Sequence, residues 1–224
     1  SSKPSERSWC IPLGNAPTRL KPKIAIIGYG MGNIASLHNA FVKVGADVCV
    51  AATPAELEQA THIVLPGVGA FPKGMHQLRS LGFEDAVRRL VAQGRLLLGV
   101  CLGMQLLATE GEEHELTAGL NLIPGRVVRF NTPGLRVPHI GWNDTVSRRA
   151  DSLLGDAGAK DCFYYVHSFH FAAADSADVA LTSDYGGEFV AGVERGNVMG
   201  VQFHPEKSHA AGLNLLKRFV ERTA

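Results

Sequence analysis

The chain has 224 residues, 46% of them hydrophobic, enough for one α/β domain with a full core. Its 22 Lys+Arg balance 21 Asp+Glu, which leaves a net charge of +1 and no basic field for a nucleic-acid backbone. No apolar run approaches the roughly 18–20 residues that span a bilayer, and the four cysteines lack zinc spacing and any disulfide framework, so no membrane, no metal and a reducing cytoplasm are expected.

Residues 1–22 are polar and proline-punctuated, without the apolar stretch of a secretory signal, and read as a mobile extension to a single domain over 23–224. "KIAIIG" (23–28) is a buried-strand run. The glycine loop "GYGMGN" (28–33) follows, then a helical stretch to Val44. The loop lacks the G-x-G-x-x-G spacing, and no acidic residue ends the next strand, so a dinucleotide site is not expected. "ADVCVA" is a second strand and "THIVLPG" a third, ending in "LPGVGAF" (65–71). Helical patterns run from about Lys73 to Gln93, "RLLLGV" is a fourth strand, and Leu102 to Glu110 is a helix. Cys49 and Cys162, in strand-like runs, are expected to be small buried hydrophobes.

After Leu120 the texture changes to strands with short turns: "GRVVRF", "RVPHIGWN", "FYYVHSFHF", "DVALTSDYG", "EFVAGVERG" and "NVMGVQF". An amphipathic helix, "SHAAGLNLLKRFVERTA", closes the chain. The β-α-β-α alternation followed by strands predicts an α/β fold: a doubly wound, mostly parallel central sheet flanked by helices, flavodoxin-like, with an added antiparallel region in the C-terminal half.

Ligands of such sheets bind beyond the carboxyl ends of the strands. Cys101 stands there in "GVCLG", the thiol form of the G-x-S-x-G nucleophile elbow. Gly99 and Gly103 clear room for a tight turn, the following helix start favours a thiolate, and the Leu102 N–H faces a forming oxyanion. A nucleophilic cysteine needs a base. In "MGVQFHPEKS", His204 ends an apolar strand and Glu206, two residues on, is placed to orient its imidazole. Gly67 and Gly69 of "LPGVGAF" permit close backbone approach for a second oxyanion donor.

"GYGMGN", "LPGVGAF", "GVCLGMQLL", "VPHIGWN", "YYVHSFHF" and "GVQFHPEKS", in that order from residue 28 to residue 208, resemble the class I, triad-type glutamine amidotransferases and, within them, the glutaminase subunits of imidazole glycerol phosphate synthase. The resemblance implies a Cys101–His204–Glu206 triad, oxyanion donors at Val68 and Leu102, and glutamine held by Gly67, Gly69, Gln105, Glu113, Ser168 and Phe169. Family members often carry Tyr where Phe169 stands; a backbone role tolerates that change and a hydroxyl role does not. No cofactor is implied. The implied partner is a (β/α)8-barrel synthase subunit receiving ammonia in a heterodimer, with Asn33, Trp142, Tyr164 and Lys207 at the interface. Glutaminase service to anthranilate or pyridoxal phosphate synthesis, a cysteine hydrolase of similar fold, and a non-catalytic flavodoxin-like module stay open as alternatives.

Overall fold

A computed structural model describes residues 22–223, so the expected mobile extension lies, Pro22 apart, outside the described residues. The first half runs β1 (Lys23–Ile27), α1 (Ile34–Lys43), β2 (Asp47–Ala51), β3 (His62–Leu65), α2 (Phe71–Ser80), α3 (Phe83–Ala92), β4 (Leu96–Val100) and α4 (Leu102–Gln105). The second half runs β5 (Glu110–Gly111), β6 (Thr117–Ala118), β7 (Gly125–Arg129), β8 (His139–Ser147), β9 (Lys160–His167), β10 (Phe169–Ala173), β11 (Val179–Asp184), β12 (Glu188–Arg195), β13 (Val198–Val201) and α5 (His209–Glu221).

One sheet carries these strands. Its parallel part has the order β2-β1-β3-β4-β13, and β12 then pairs antiparallel with β13 and leads into the antiparallel region. The doubly wound expectation therefore holds, and the last strand of the chain lies beside β4, which brings His204 next to Cys101.

Strand alternation divides the core into two layers. Ala25, Ile27, Ile63, Leu65 and Leu97 face α2 and α3, packing on Phe71, Met75, Leu78, Phe83 and Leu90. Ile24, Ile26, Val64, Leu98 and Val100 face α1 and α5, packing on Leu37, Phe41, Leu215 and Phe219. The apolar positions of α1 (Leu37, Ala40 and Phe41) recur at helical spacing, and Asn33 caps its start by accepting from the Ser36 N–H at 3.4 Å. Full burial of a side chain such as Phe41 stabilises the fold by about 1.5–3 kcal/mol.

Two expectations are corrected. The helix after Cys101 ends at Gln105 rather than Glu110. The returning segment takes its carbonyls: Leu120 N–H donates to Leu106 O, Leu122 N–H to Leu107 O and Asn121 N–H to Ala108 O, all at 2.8–2.9 Å, so the helix has no acceptors left to propagate. The helical patterns expected from about Lys73 to Gln93 form two helices, separated at Gly82, which takes a φ of 74°. Cys49 is exposed and Cys162 half-buried, because β2 is the sheet's edge and Cys162 points away from the Phe163 and Tyr165 side of β9.

Candidate active site

Cys101 sits where β4 gives way to α4, with φ 55° and ψ −113°. A non-glycine residue there carries backbone strain of about 1–3 kcal/mol. Neighbouring chain holds it: the Cys101 N–H donates to Val201 O at 2.8 Å. The turn also closes tightly on β3, since a Cβ on Gly103 would lie 1.9 Å from Leu65 O and one on Gly99 2.6 Å from Gly103 O. Those glycines are required sterically, as the elbow reading expects. With α4 only one turn long, the nearby N–H groups of Leu102 and Gly103 matter more than any macrodipole.

His204 and Glu206 come together as expected. His204 Nδ1 and Glu206 Oε1 lie 2.9 Å apart, with side chains 3% and 1% exposed. The His204 backbone is clamped by Tyr164, whose carbonyl accepts from its N–H at 2.9 Å, and by the Ser208 hydroxyl, which donates to His204 O and accepts from the Tyr164 N–H. Burial pulls the imidazole pKa down, but hydrogen bonding to Cys101 and Glu206, together with their negative charges, outweighs it and raises the ring to about 10. Nε2 is buried without a hydrogen bond of standard geometry, and the Cys101 sulfur is near enough to act on it electrostatically. Glu206 Oε2 is likewise buried without a hydrogen-bond donor.

A cavity of about 410 Å³ opens over Cys101 and is lined by Val68, Gly69, Gln105, Glu113, Ser168, Phe169 and His204, among others. Leu102 lines it too, and Val68, 44% exposed, stands at its mouth. Gly67 does not line it: it is buried behind the wall, where a Cβ would lie 2.8 Å from the Leu102 Cβ and 2.9 Å from Gly103 N. The "GYGMGN" loop supports this segment, with the Tyr29 hydroxyl donating to Pro66 O at 2.7 Å. Glu113 Oε2 accepts from the Phe71 N–H at 2.8 Å, which caps α2 and leaves one oxygen for the cavity. The Phe169 carbonyl is a junction, accepting from Gln105 Nε2 at 3.0 Å and from His167 Nδ1 at 2.8 Å. These contacts use the backbone carbonyl, which a Phe-for-Tyr exchange leaves intact.

The family model described as Glutamine amidotransferase class-I matches residues 25–223. The chain belongs to that family. Its class I relatives include the protein named Imidazole glycerol phosphate synthase subunit HisH of Syntrophotalea carbinolica, 48% identical over 204 residues, or 88% of this chain and 98% of that one. The protein of the same name from Methanothermobacter thermautotrophicus is 46% identical over 198 residues, 88% of this chain and 98% of its own. A crystal structure described as a glutamine amidotransferase shares the fold at a TM-score of 0.71 and 22% identity, covering 88% of this chain and 97% of that one. The structure of PurLQS from Thermotoga maritima does so at 0.71 and 21%, covering 89% and 98%.

Beside this amidotransferase site, Trp142 and Tyr164 are directly paired across β8 and β9. Trp142 is 49% exposed and stacks on His209 at 5.0 Å, and Lys207 Nζ lies 5.6 Å above the Tyr164 ring. Three of the four expected interface residues therefore form one aromatic-cationic patch behind His204 and Glu206, reached through the Tyr164–His204 backbone bond. Asn33 lies at the start of α1, which packs on the 205–207 turn.

Sequence reasoning missed Gln202, which is fully buried and bonded to both Gln105 and Cys101, and the pair His139–His167. His167 Nδ1 faces a carbonyl, so it carries the proton; Nε2 then accepts from His139 Nδ1 at 3.0 Å. A glutamine inside the apolar run "MGVQF" was the available signal, because a buried amide requires partners.

Proposed function

We propose that this chain hydrolyses L-glutamine to glutamate and ammonia and passes the ammonia to a (β/α)8-barrel synthase subunit as one half of a heterodimer. The observation that carries the reading is the Cys101–His204–Glu206 constellation, a strained elbow thiol facing a buried imidazole whose far nitrogen lies 2.9 Å from a carboxylate. Cys101 Sγ attacks the side-chain amide carbon, its proton having passed to His204 Nε2. The oxygen of the tetrahedral adduct takes N–H donors from Leu102 and from the Val68 segment. His204 returns the proton to the departing nitrogen, ammonia leaves, and a glutamyl thioester remains. Water, giving a proton to His204, then cleaves the thioester to glutamate and restores the thiol. Glu206 supports the imidazolium through both steps.

Gly69, Gln105, Glu113, Ser168 and Phe169 line a cavity of a size for one amino acid and supply the polar contacts for glutamine. The names of the relatives support imidazole glycerol phosphate synthase as the acceptor enzyme, with phosphoribulosyl-formimino aminoimidazole carboxamide ribotide taking up the ammonia. The products are imidazole glycerol phosphate and aminoimidazole carboxamide ribotide, in histidine biosynthesis. Trp142, Tyr164, Lys207 and Asn33 meet the barrel subunit. A reducing cytoplasm suits a site whose nucleophile must stay a free thiol. The test is Cys101→Ala in complex with the barrel subunit. Glutamate release should vanish while synthesis from ammonium salts persists; glutamate release at the wild-type rate would overturn the assignment.

A further inference from the structure

Phe169 O fixes the direction of a buried amide chain. A carbonyl only accepts, so the Gln105 atom facing it at 3.0 Å is Nε2, the donor. The same nitrogen lies 3.0 Å from Gln202, whose facing atom must then be the acceptor Oε1. That leaves the Gln202 Nε2 group turned toward Cys101 Sγ, at 3.9 Å. Neither amide can flip without setting two acceptors or two donors face to face. Gln202 is 0% exposed and Gln105 5%, so water does not compete for these bonds.

We propose that Gln202 is a catalytic residue of the glutaminase reaction, donating a hydrogen bond to the Cys101 sulfur and stabilising it as the thiolate. The inference rests on Cys101 being the nucleophile. No proton is transferred through Gln202: the thiol proton goes to His204, and the amide N–H holds the charge left on sulfur. Hydrogen bonds to charged groups are the strong ones, and the long neutral contact shortens once sulfur is charged. The thiolate thus lies between an imidazolium and an amide donor, while the Phe169 carbonyl ties the glutamine cavity to the nucleophile through Gln105.

The chosen variant is Gln202→Met, near-isosteric and without a donor, made in the full chain with its barrel subunit. Iodoacetamide labelling of the Cys101 peptide, followed by mass spectrometry across pH, should show the midpoint moving up by about one unit, and labelling below it slowed about tenfold. Glutamine turnover should fall about 10–100-fold with KM within about threefold of wild type. A purely structural role would lower melting temperature without moving the labelling midpoint, and an unmoved midpoint overturns the proposal. Should the variant fail to fold, the wild type still decides: the Gln202 side-chain amide proton resonance must shift when Cys101 is alkylated, and an unshifted resonance rejects the bond. Loss of all turnover in Cys101→Ala with an unmoved midpoint in Gln202→Met would sink this inference alone and leave the proposed function standing.

Discussion

At Cys101 the backbone is held in an unfavourable conformation so that the side chain points where two strands end. The supports are specific: a hydrogen bond to Val201 and glycines whose absent Cβ atoms would overlap Leu65 and Gly103. Such requirements are legible in a sequence, because G-x-C-x-G and H-P-E state them within a few residues. Glu206 is the member of the proposed triad whose role is separable. Glu206→Gln retains a group able to hydrogen-bond His204 Nδ1 but removes the charge that helps raise the ring to about 10. Its turnover should fall by roughly 10⁴-fold, less than the complete loss in Cys101→Ala. Single-turnover formation of the glutamyl thioester measures this; equal losses in the two variants would give Glu206 a role beyond holding the imidazole.

The element that lines the cavity opposite the elbow is the 65–70 segment, and its two ends differ. Pro66 is tied by Tyr29 and Gly67 is wedged against Leu102, whereas Val68 is exposed and Gly69 takes a φ of 106°. We propose that the Gly67–Val68 peptide turns over while Pro66 stays anchored. A resting orientation with its carbonyl toward the cavity would remove one oxyanion donor, worth roughly 10²–10³-fold in rate. Glutaminase turnover should rise by at least that factor from the isolated chain to the complex with acceptor nucleotide; similar turnover in the chain, the complex and the loaded complex would exclude the gate. Glycine spacing in "PGVG" makes this segment readable, and short continuous apolar runs do the same for β1, β3, β4 and β13. The premature end of α4 was not readable, because the carbonyls are taken by residues 120–122, beyond the reach of any local pattern. Gln202 escaped for a related reason: its partners, Gln105 and Cys101, are about a hundred residues away.

Across the whole molecule, burial of histidines sets the response to acid. Burial alone lowers His139 to about 4, and burial, outweighing the carbonyl of Phe169, lowers His167 to about 3. His62 and His170 are lowered in the same direction by burial. In the unfolded chain each takes a proton near 6.5, while the folded chain refuses it until lower pH, far lower for His139 and His167. Between those limits the unfolded state binds more protons, so stability rises with pH and is lost as pH falls below about 6.5. His204 acts with the opposite sign: raised to about 10, it contributes fully below 6.5 and its contribution fades as pH climbs toward 10. Maximum stability is therefore expected near neutrality. Each buried neutral histidine adds a slope approaching ~1.4 kcal/mol per pH unit on the acid side. His139→Gln, which removes one titrating ring, should be less stable at pH 7 but should show a shallower decline between pH 6.5 and 5, a window chosen to keep most carboxylates ionised. Urea unfolding at pH 7, 6 and 5 gives both slopes. Parallel declines in the variant and the wild type would mean that the acid sensitivity comes from carboxylates, and that the His139–His167 pair admits a proton while the chain is still folded.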